Sequence, residues 1–336
     1  MPLVAVLGSG IIGLKATEAL VEAGYNVVVV SKDLPGDPVA ASWASPSAGA
    51  VIYPTYTAKS TTREFETATF GHYWSLAHTD PSSGAQVIPV TEYFAEPYDP
   101  DSQAWYTKVK PYYRHSAPEE LPLGIKDAVT VATVAVSPLI YLPYLRRNLE
   151  ARGTKFSRLT AKSLDQVLRL TGAAVVVNAS GHGAKELCND AACTPVRGQA
   201  MWLRDRPRGW NKVLLCQDGG YTYVVPRLGT GGCLLGGVRQ EGDEGDAADP
   251  ALRRDILQRV NHLSGGAFKD VNLETDVDDV VAWRPGRDGG HRLEIQGPDV
   301  VHAYGFDGVG FAVSFGVGRR VVELVKQLTG GERARL

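Results

Sequence analysis

The chain has 336 residues, with 35 lysines and arginines against 37 aspartates and glutamates and a formal charge of −2. That near-neutral balance gives no basic footprint for nucleic acid, and the length allows two domains or one large α/β body with an insertion. The most apolar stretch, residues 128–145, is interrupted by Pro138 and Pro143 and followed by Arg146 and Arg147, too short and broken to cross a bilayer. An apolar strand begins almost at once, which leaves no room for a secretory leader ahead of it.

Val4-Ala-Val-Leu7 reads as a buried parallel strand that runs straight into Gly8, Gly10 and Gly13 of a GxGxxG turn. Gly8 permits the tight turn, Gly10 lets a pyrophosphate approach the backbone, and Gly13 lets the next helix close on the strand. That helix, expected over residues 14–23, presents its positive N-terminus to the phosphates. A second apolar strand follows over residues 26–30. The glycine motif alone is weak; flanked by two strands it points to a dinucleotide site.

A polar loop covers residues 31–38, small residues fill 40–54, and 61–79 reads as a helix carrying Phe65, Phe70, Tyr73 and Trp74. Residues 80–127, rich in Pro, Asp and Tyr with short strand-like pieces such as 87–90, suggest loops and edge strands of a second lobe. A helix resumes near 139–152, and 173–178 is another buried strand. Between 199 and 239 the chain alternates as paired antiparallel strands at 200–203, 212–215, 221–225 and 233–238, with turn residues at 229–232. A helix around 249–263, strands at 292–295 and 300–303, a glycine-rich loop and a final helix over 316–328 complete the pattern. The expected fold is α/β and discontinuous. A Rossmann-like dinucleotide-binding domain from 1–60, 128–194 and 282–336 encloses a second, largely antiparallel substrate-binding domain from 61–127 and 195–281.

Cys188, Cys193, Cys216 and Cys233 match no zinc spacing and read as reduced thiols, with a Cys216–Cys233 bridge across a hairpin left open. No histidine sits at ligand or triad spacing, so no metal is expected; His182 and His302, near the glycine loops, read as structural. The tripeptide Ala334-Arg335-Leu336 resembles a peroxisomal address of the SKL type, which implies an import receptor as a partner.

Several segments together resemble the D-amino-acid oxidase family, which includes D-aspartate oxidases. They are Gly8-Ser-Gly-Ile-Ile-Gly13, Ala44-Ser-Pro-Ser-Ala-Gly49, Val175-Val-Val-Asn-Ala-Ser-Gly181, Pro195-Val-Arg-Gly-Gln199, Tyr223-Val-Val-Pro226, Trp283-Arg-Pro-Gly-Arg287 and the stretch from His302 to Gly310. They occur in the family's order and cover nearly the whole chain. The resemblance implies FAD, a D-amino acid and O2 as reactants, and 2-oxo acid, ammonia and hydrogen peroxide as products. It further implies hydride transfer from the substrate Cα to flavin N5, with the deprotonated amine supplying the electron push and no dedicated side-chain base. Peroxide production makes a peroxisomal location sensible, and the dimer common in the family suggests a homo-oligomer by analogy.

By the same resemblance Arg284 is the carboxylate-binding arginine, a role that suits a bidentate group that stays charged when desolvated. Tyr223 matches the tyrosine that shares this carboxylate. Tyr221 lies on the same face of a regular strand, and Gln199 falls at the pocket rim. Arg239 resembles the D-aspartate oxidase version, where an arginine replaces the neutral residue of broad-range oxidases; residues 50–56 look nearer to that branch too. Such an arginine is costly to bury beside an apolar side chain but favourable with a β-carboxylate. The plainer alternative is a solvated arginine balancing Glu241, Asp243 and Glu244. D-Aspartate is therefore the expected substrate, with a broad or neutral D-amino-acid oxidase as runner-up and an NAD(P)-dependent dehydrogenase ranked lower.

The FAD contacts implied run from Gly8, Gly10, Ile11, Ile12 and Gly13 to Lys32 and Asp33, then Ser45, Ala48, Gly49, Ala161, Ser180 and Gly181. Gly308, Gly310, Phe311 and Ala312 join Arg284 at the far end. Three positions depart from the family pattern. Ser31-Lys32-Asp33 lacks the usual acidic strand end, so Asp33 or backbone groups must serve the ribose. Ser47 stands where many fungal members have a tryptophan, and Asp307 replaces a small residue beside the flavin.

Overall fold

A computed structural model describes residues 1–53, 62–97, 111–218, 220–227, 229 and 231–330. In chain order its strands are β1 (Leu3–Leu7), β2 (Asn26–Ser31), β3 (Ala85–Phe94), β4 (Tyr113–His115), β5 (Asp127–Val136), β6 (Lys155–Arg158), β7 (Val175–Asn178) and β8 (Cys193–Leu203). There follow β9 (Val213–Cys216), β10 (Thr222–Pro226), β11 (Cys233–Gly236), β12 (Gln240–Glu241), β13 (Val277–Arg287), β14 (Arg292–Gln296) and β15 (Val300–Tyr304).

Two sheets result. The first has the order β14-β15-β7-β1-β2-β6 and is parallel except for β14. The second runs β12-β8-β11-β10-β9-β3-β5-β4, with β13 on the other edge of β8; it is antiparallel except where β3 meets β9. The α/β class and the largely antiparallel second sheet are as the sequence leads one to expect.

β1 shows why the first sheet sits at the centre. Val4 and Val6 pack with Ala16 and Leu20 of the helix Ile11–Glu22 and with Val313, Val317 and Val321 of the helix Gly310–Gly330. Ala5 and Leu7 point the other way, onto Val167 of the helix Leu164–Thr171. A strand covered on both faces needs a continuous apolar run, which is what residues 4–7 supply.

Sheet membership moves two of the boundaries drawn from sequence. β5, placed above in the first domain, pairs with β3 along its whole length in the second sheet, from Ala85 opposite Val136 to Phe94 opposite Asp127. The helix Arg63–Thr79, placed in the second domain, buries Phe70 and Tyr73 against Ile11, Leu14 and Phe311 of the first. Apolar periodicity shows that such segments are buried but not against which sheet.

The helix after the glycine turn begins at Ile11 rather than 14, and the last helix at Gly310 rather than 316. Gly316 lies inside that last helix, where a Cβ would sit 2.3 Å from Phe65 Cα, so the close packing there needs glycine. All four cysteines are free. Cys216 pairs with Thr222 and Cys233 with Pro226 on opposite sides of β10, so that strand separates the two thiols. Among the described residues no helix is long and apolar enough to cross a membrane. Residues 54–56 of the 50–56 segment and the tripeptide 334–336 lie outside the described residues.

Candidate active site

A cleft of about 910 Å³ opens where the carboxyl ends of β1, β2 and β7 face β9 and β10 of the second sheet. In a parallel α/β sheet this is the side on which ligands bind. Gly8, at φ +113°, makes the turn out of β1, and a Cβ there would lie 2.3 Å from the Ala179 carbonyl oxygen. A Cβ on Gly13 would lie 2.0 Å from the Gly8 carbonyl oxygen, so Gly13 packs the helix onto the turn. It does not line the cleft, unlike the other residues named above as cofactor contacts.

Gly10 faces the cleft. A Cβ there would meet Ser45 Oγ at 3.0 Å and, at 4.0 Å, Ser45 Cβ and Trp43 Nε1. Ser45 Oγ accepts the Ile11 amide at 3.0 Å and so ties residue 45 to the helix N-terminus. The buried Trp43 N–H has no hydrogen-bond partner among the described residues. An unpaired buried donor beside an open glycine and a helix N-terminus suits a phosphate oxygen. Trp43 was not foreseen from the sequence.

Lys32 and Asp33 line the cleft at the end of β2, with Asp33 half-buried where a ribose is expected. On the β7 side, the Asn178 carboxamide oxygen accepts from Ser180 Oγ at 2.6 Å and from Ser180 N at 3.2 Å. The Asn178 amide nitrogen lies 3.0 Å from Cys188 Sγ and 3.3 Å from His302 Nδ1, while His302 Nε2 lies 2.6 Å from Gln296 Oε1. Burial pushes the His302 pKa down to about 4. The ring is then neutral, and the network assigns its proton to Nε2, facing Gln296, so that Nδ1 accepts from Asn178. His302 therefore braces the loop that carries Ser180 and Gly181.

On the wall of the cleft formed by the second sheet Arg284, Tyr221 and Tyr223 come together. The Arg284 guanidinium carbon lies 5.2 Å from the Tyr221 ring centroid, and the two tyrosine rings meet edge to face at 5.5 Å. Tyr221 precedes β10 rather than belonging to it and has φ +55°. Burial pushes the Tyr223 hydroxyl up to about 12, which keeps it a proton donor at neutral pH.

Two glycines floor this cluster. A Cβ on Gly198 would lie 2.8 Å from both terminal nitrogens of Arg284, and one on Gly236 would lie 2.0 Å from Tyr223 Cζ. Gly198→Ala should therefore displace the guanidinium. A shift of that order costs about 10–100-fold in kcat/KM; steady-state kinetics on a variant with an unchanged circular dichroism spectrum checks it.

Arg239 is placed differently from the expectation. It does not line the cleft; its guanidinium binds the Asp307 carboxylate through two bonds of 2.7 and 3.1 Å and reaches Glu241 at 3.3 Å. Gln199 is fully buried away from the cleft. It accepts the Asp249 amide at 2.8 Å and donates to the Asp249 carbonyl at 2.9 Å, where the helix Pro250–Ser264 begins.

Arg227 was also missed. It is buried and donates to the carbonyls of Ala48 at 2.6 Å, Gly49 at 2.9 Å and Val136 at 2.9 Å, binding a cleft-lining turn to the second sheet. Burial pushes its pKa down to about 10, still charged at neutral pH. The one hint in the sequence is its place directly after Tyr223-Val-Val-Pro226.

A glycine turn and a helix N-terminus at one cleft, with an arginine–tyrosine cluster on its second-sheet wall, define a two-lobed dinucleotide-binding protein. The family described as DAO, FAD dependent oxidoreductase, matches residues 4–324, and the chain belongs to it. The chain is 34% identical to a D-amino-acid oxidase of Rubrobacter xylanophilus, over 95% of this chain and 94% of the relative. It is 27% identical to a D-aspartate oxidase of Cryptococcus neoformans, over 97% of each. Its fold matches the crystal structure of an L-proline dehydrogenase from P. horikoshii with a TM-score of 0.78, at 15% identity, covering 97% of this chain and 93% of that one. FAD is the cofactor of this family. The open face of Gly10, the unpaired Trp43 donor and the helix N-terminus beside them fit its phosphates.

Proposed function

We propose that this protein oxidatively deaminates D-amino acids: amino acid, O2 and water give a 2-oxo acid, ammonia and hydrogen peroxide. What carries the reading is the cluster of Arg284, Tyr221 and Tyr223 on the second-sheet wall of the cleft. Arg284 takes the α-carboxylate in a charge-assisted pair, and the Tyr223 hydroxyl donates to the same group. Together they orient the substrate, and orientation is the main service the protein renders when the cofactor does the redox chemistry. FAD, when bound, would supply the hydride acceptor for this oxidation.

Uncharged side chains are the preferred substrates in this reading. Val51, Val213, Leu215 and Val225 line the same cleft, and Arg239 is already neutralised by Asp307. D-Aspartate is the second reading. It is favoured by Arg239 standing next to Val238, whose carbonyl accepts a bond from Arg284 at 3.2 Å.

Peroxide release with D-alanine, D-aspartate and L-alanine, in wild type and in Arg239→Ala, separates the readings. Wild type should turn over D-alanine ahead of D-aspartate and leave L-alanine untouched, and Arg239→Ala should change the D-aspartate to D-alanine ratio by less than about twofold. If Arg239 instead reads a side-chain carboxylate, its loss should lower D-aspartate turnover by roughly 100-fold relative to D-alanine, the effect of removing one partner of a buried charge pair. Silence with every D-amino acid would overturn the reaction itself.

A further inference from the structure

Asp307 opens a tight turn over Asp307–Val309 with φ +48°, a backbone region unusual for any residue but glycine and its nearest substitutes. It lines the cleft, and its carboxylate is held in the two bonds from Arg239. The turn touches the substrate arginine on one side, since a Cβ on Gly308 would lie 3.5 Å from Arg284 Cδ. On the other side Arg284 bonds the carbonyl of Val238, the residue before Arg239. The Arg239–Asp307 pair thus forms part of the frame of the carboxylate site, joining the turn of one lobe to the end of β11 in the other.

We infer that Asp307 determines side-chain specificity by acting as an internal counter-ion. It occupies Arg239 and so withholds that guanidinium from a second carboxylate on the substrate. This inference rests on the D-amino-acid reading given above. An arginine next to a carboxylate-binding site will take whichever carboxylate is nearest and best oriented. Here the protein supplies one through a bidentate pair. The pair is also exchangeable: the side chains of Arg239 and Asp307 are 41% and 31% exposed, and a pair so exposed contributes little to stability. With Asp307 in place, a substrate carboxylate near Arg239 meets a like charge. Without it, Arg239 has only Glu241, at 3.3 Å and largely in solvent, to compete for it.

The test compares FAD-loaded wild type, Asp307→Asn, Asp307→Gly and the double variant Asp307→Asn/Arg239→Ala. Asparagine and glycine both tolerate the positive φ of this turn. The kcat/KM ratio of D-aspartate to D-alanine should rise about tenfold or more in both single variants and fall back in the double variant, the pattern of a freed charge reader. A ratio that stays at the wild-type value in both single variants would overturn the inference, and so would a rise that persists without Arg239.

A parallel titration with malonate and with acetate, read as the perturbation of the flavin spectrum, does not depend on turnover. Malonate should gain affinity over acetate in Asp307→Asn and lose that gain in the double variant; equal behaviour in all forms would contradict the role given to Asp307. A wild type inactive with all D-amino acids would refute the reaction proposed above, while the titration would still decide the role of Asp307.

Discussion

Replacing Arg284 by alanine should lower kcat/KM for D-alanine by about 10²–10³-fold while FAD stays bound. The magnitude is that of truncating one partner of a desolvated, hydrogen-bonded charge pair, about 2–5 kcal/mol. The loss should fall mainly on substrate binding, because the guanidinium contacts the carboxylate before and during the reaction alike. Retention of FAD follows from the cradle's own contacts: Gly10, Ser45 and Trp43 are placed by bonds and packing that do not involve the Arg284 side chain. Arg284→Lys should recover only a small part of the loss, since an ammonium keeps the charge but not the planar fork that lies flat above Gly198. Steady-state kinetics and the visible spectrum of the purified variants provide the check.

Arg227→Met should destabilise the protein by about 2–4 kcal/mol. The side chain is buried and donates to the carbonyls of Ala48, Gly49 and Val136, among other contacts. Methionine fills much of the volume but leaves those acceptors without their donor, and unsatisfied buried groups cost about 1–3 kcal/mol each, less whatever water recovers. For a chain of this size that corresponds to a fall in Tm of roughly 3–6 °C. The released turn lines the cofactor cleft, so FAD should also dissociate more readily. Thermal melts with and without added FAD measure both effects. A variant as stable as wild type would mean that the turn is held by its other contacts.

Much of the first sheet was legible because parallel strands buried on both faces are continuous apolar runs, as in residues 4–7 and 175–177. The glycine turn was equally legible, although its last glycine serves packing rather than ligand contact. What periodicity could not tell was the destination of a buried segment: β5 pairs in the sheet opposite to the one expected, and the helix Arg63–Thr79 packs both on the helix Gly310–Gly330 and on β3 and β5. Residues 310–315 read as loop, yet the last helix already begins at Gly310, and Gly316 and Gly318 form its close-contact face against Phe65 and Lys15.

The site shows the same division. Arg284 and Tyr223 were found through the family resemblance, and the fold brings them together. Trp43, Gly198 and Arg227 went unnoticed because an indole, a glycine and an arginine carry no sign of their contacts in sequence. Arg239 and Asp307 were each singled out, one as a reader of substrate and the other as a departure from the family. That they neutralise each other depends on a contact between residues far apart in the chain and could only come from the structure.

The most direct measurement is anaerobic mixing of the FAD-loaded protein with D-alanine and, separately, with L-alanine, following the flavin absorbance near its visible maximum. Rapid bleaching with D-alanine alone, abolished or slowed at least 100-fold in Arg284→Ala, is the result expected of a D-amino-acid oxidase whose substrate is held by Arg284. Bleaching with L-alanine, or none with any D-amino acid in protein that retains its flavin, would contradict it.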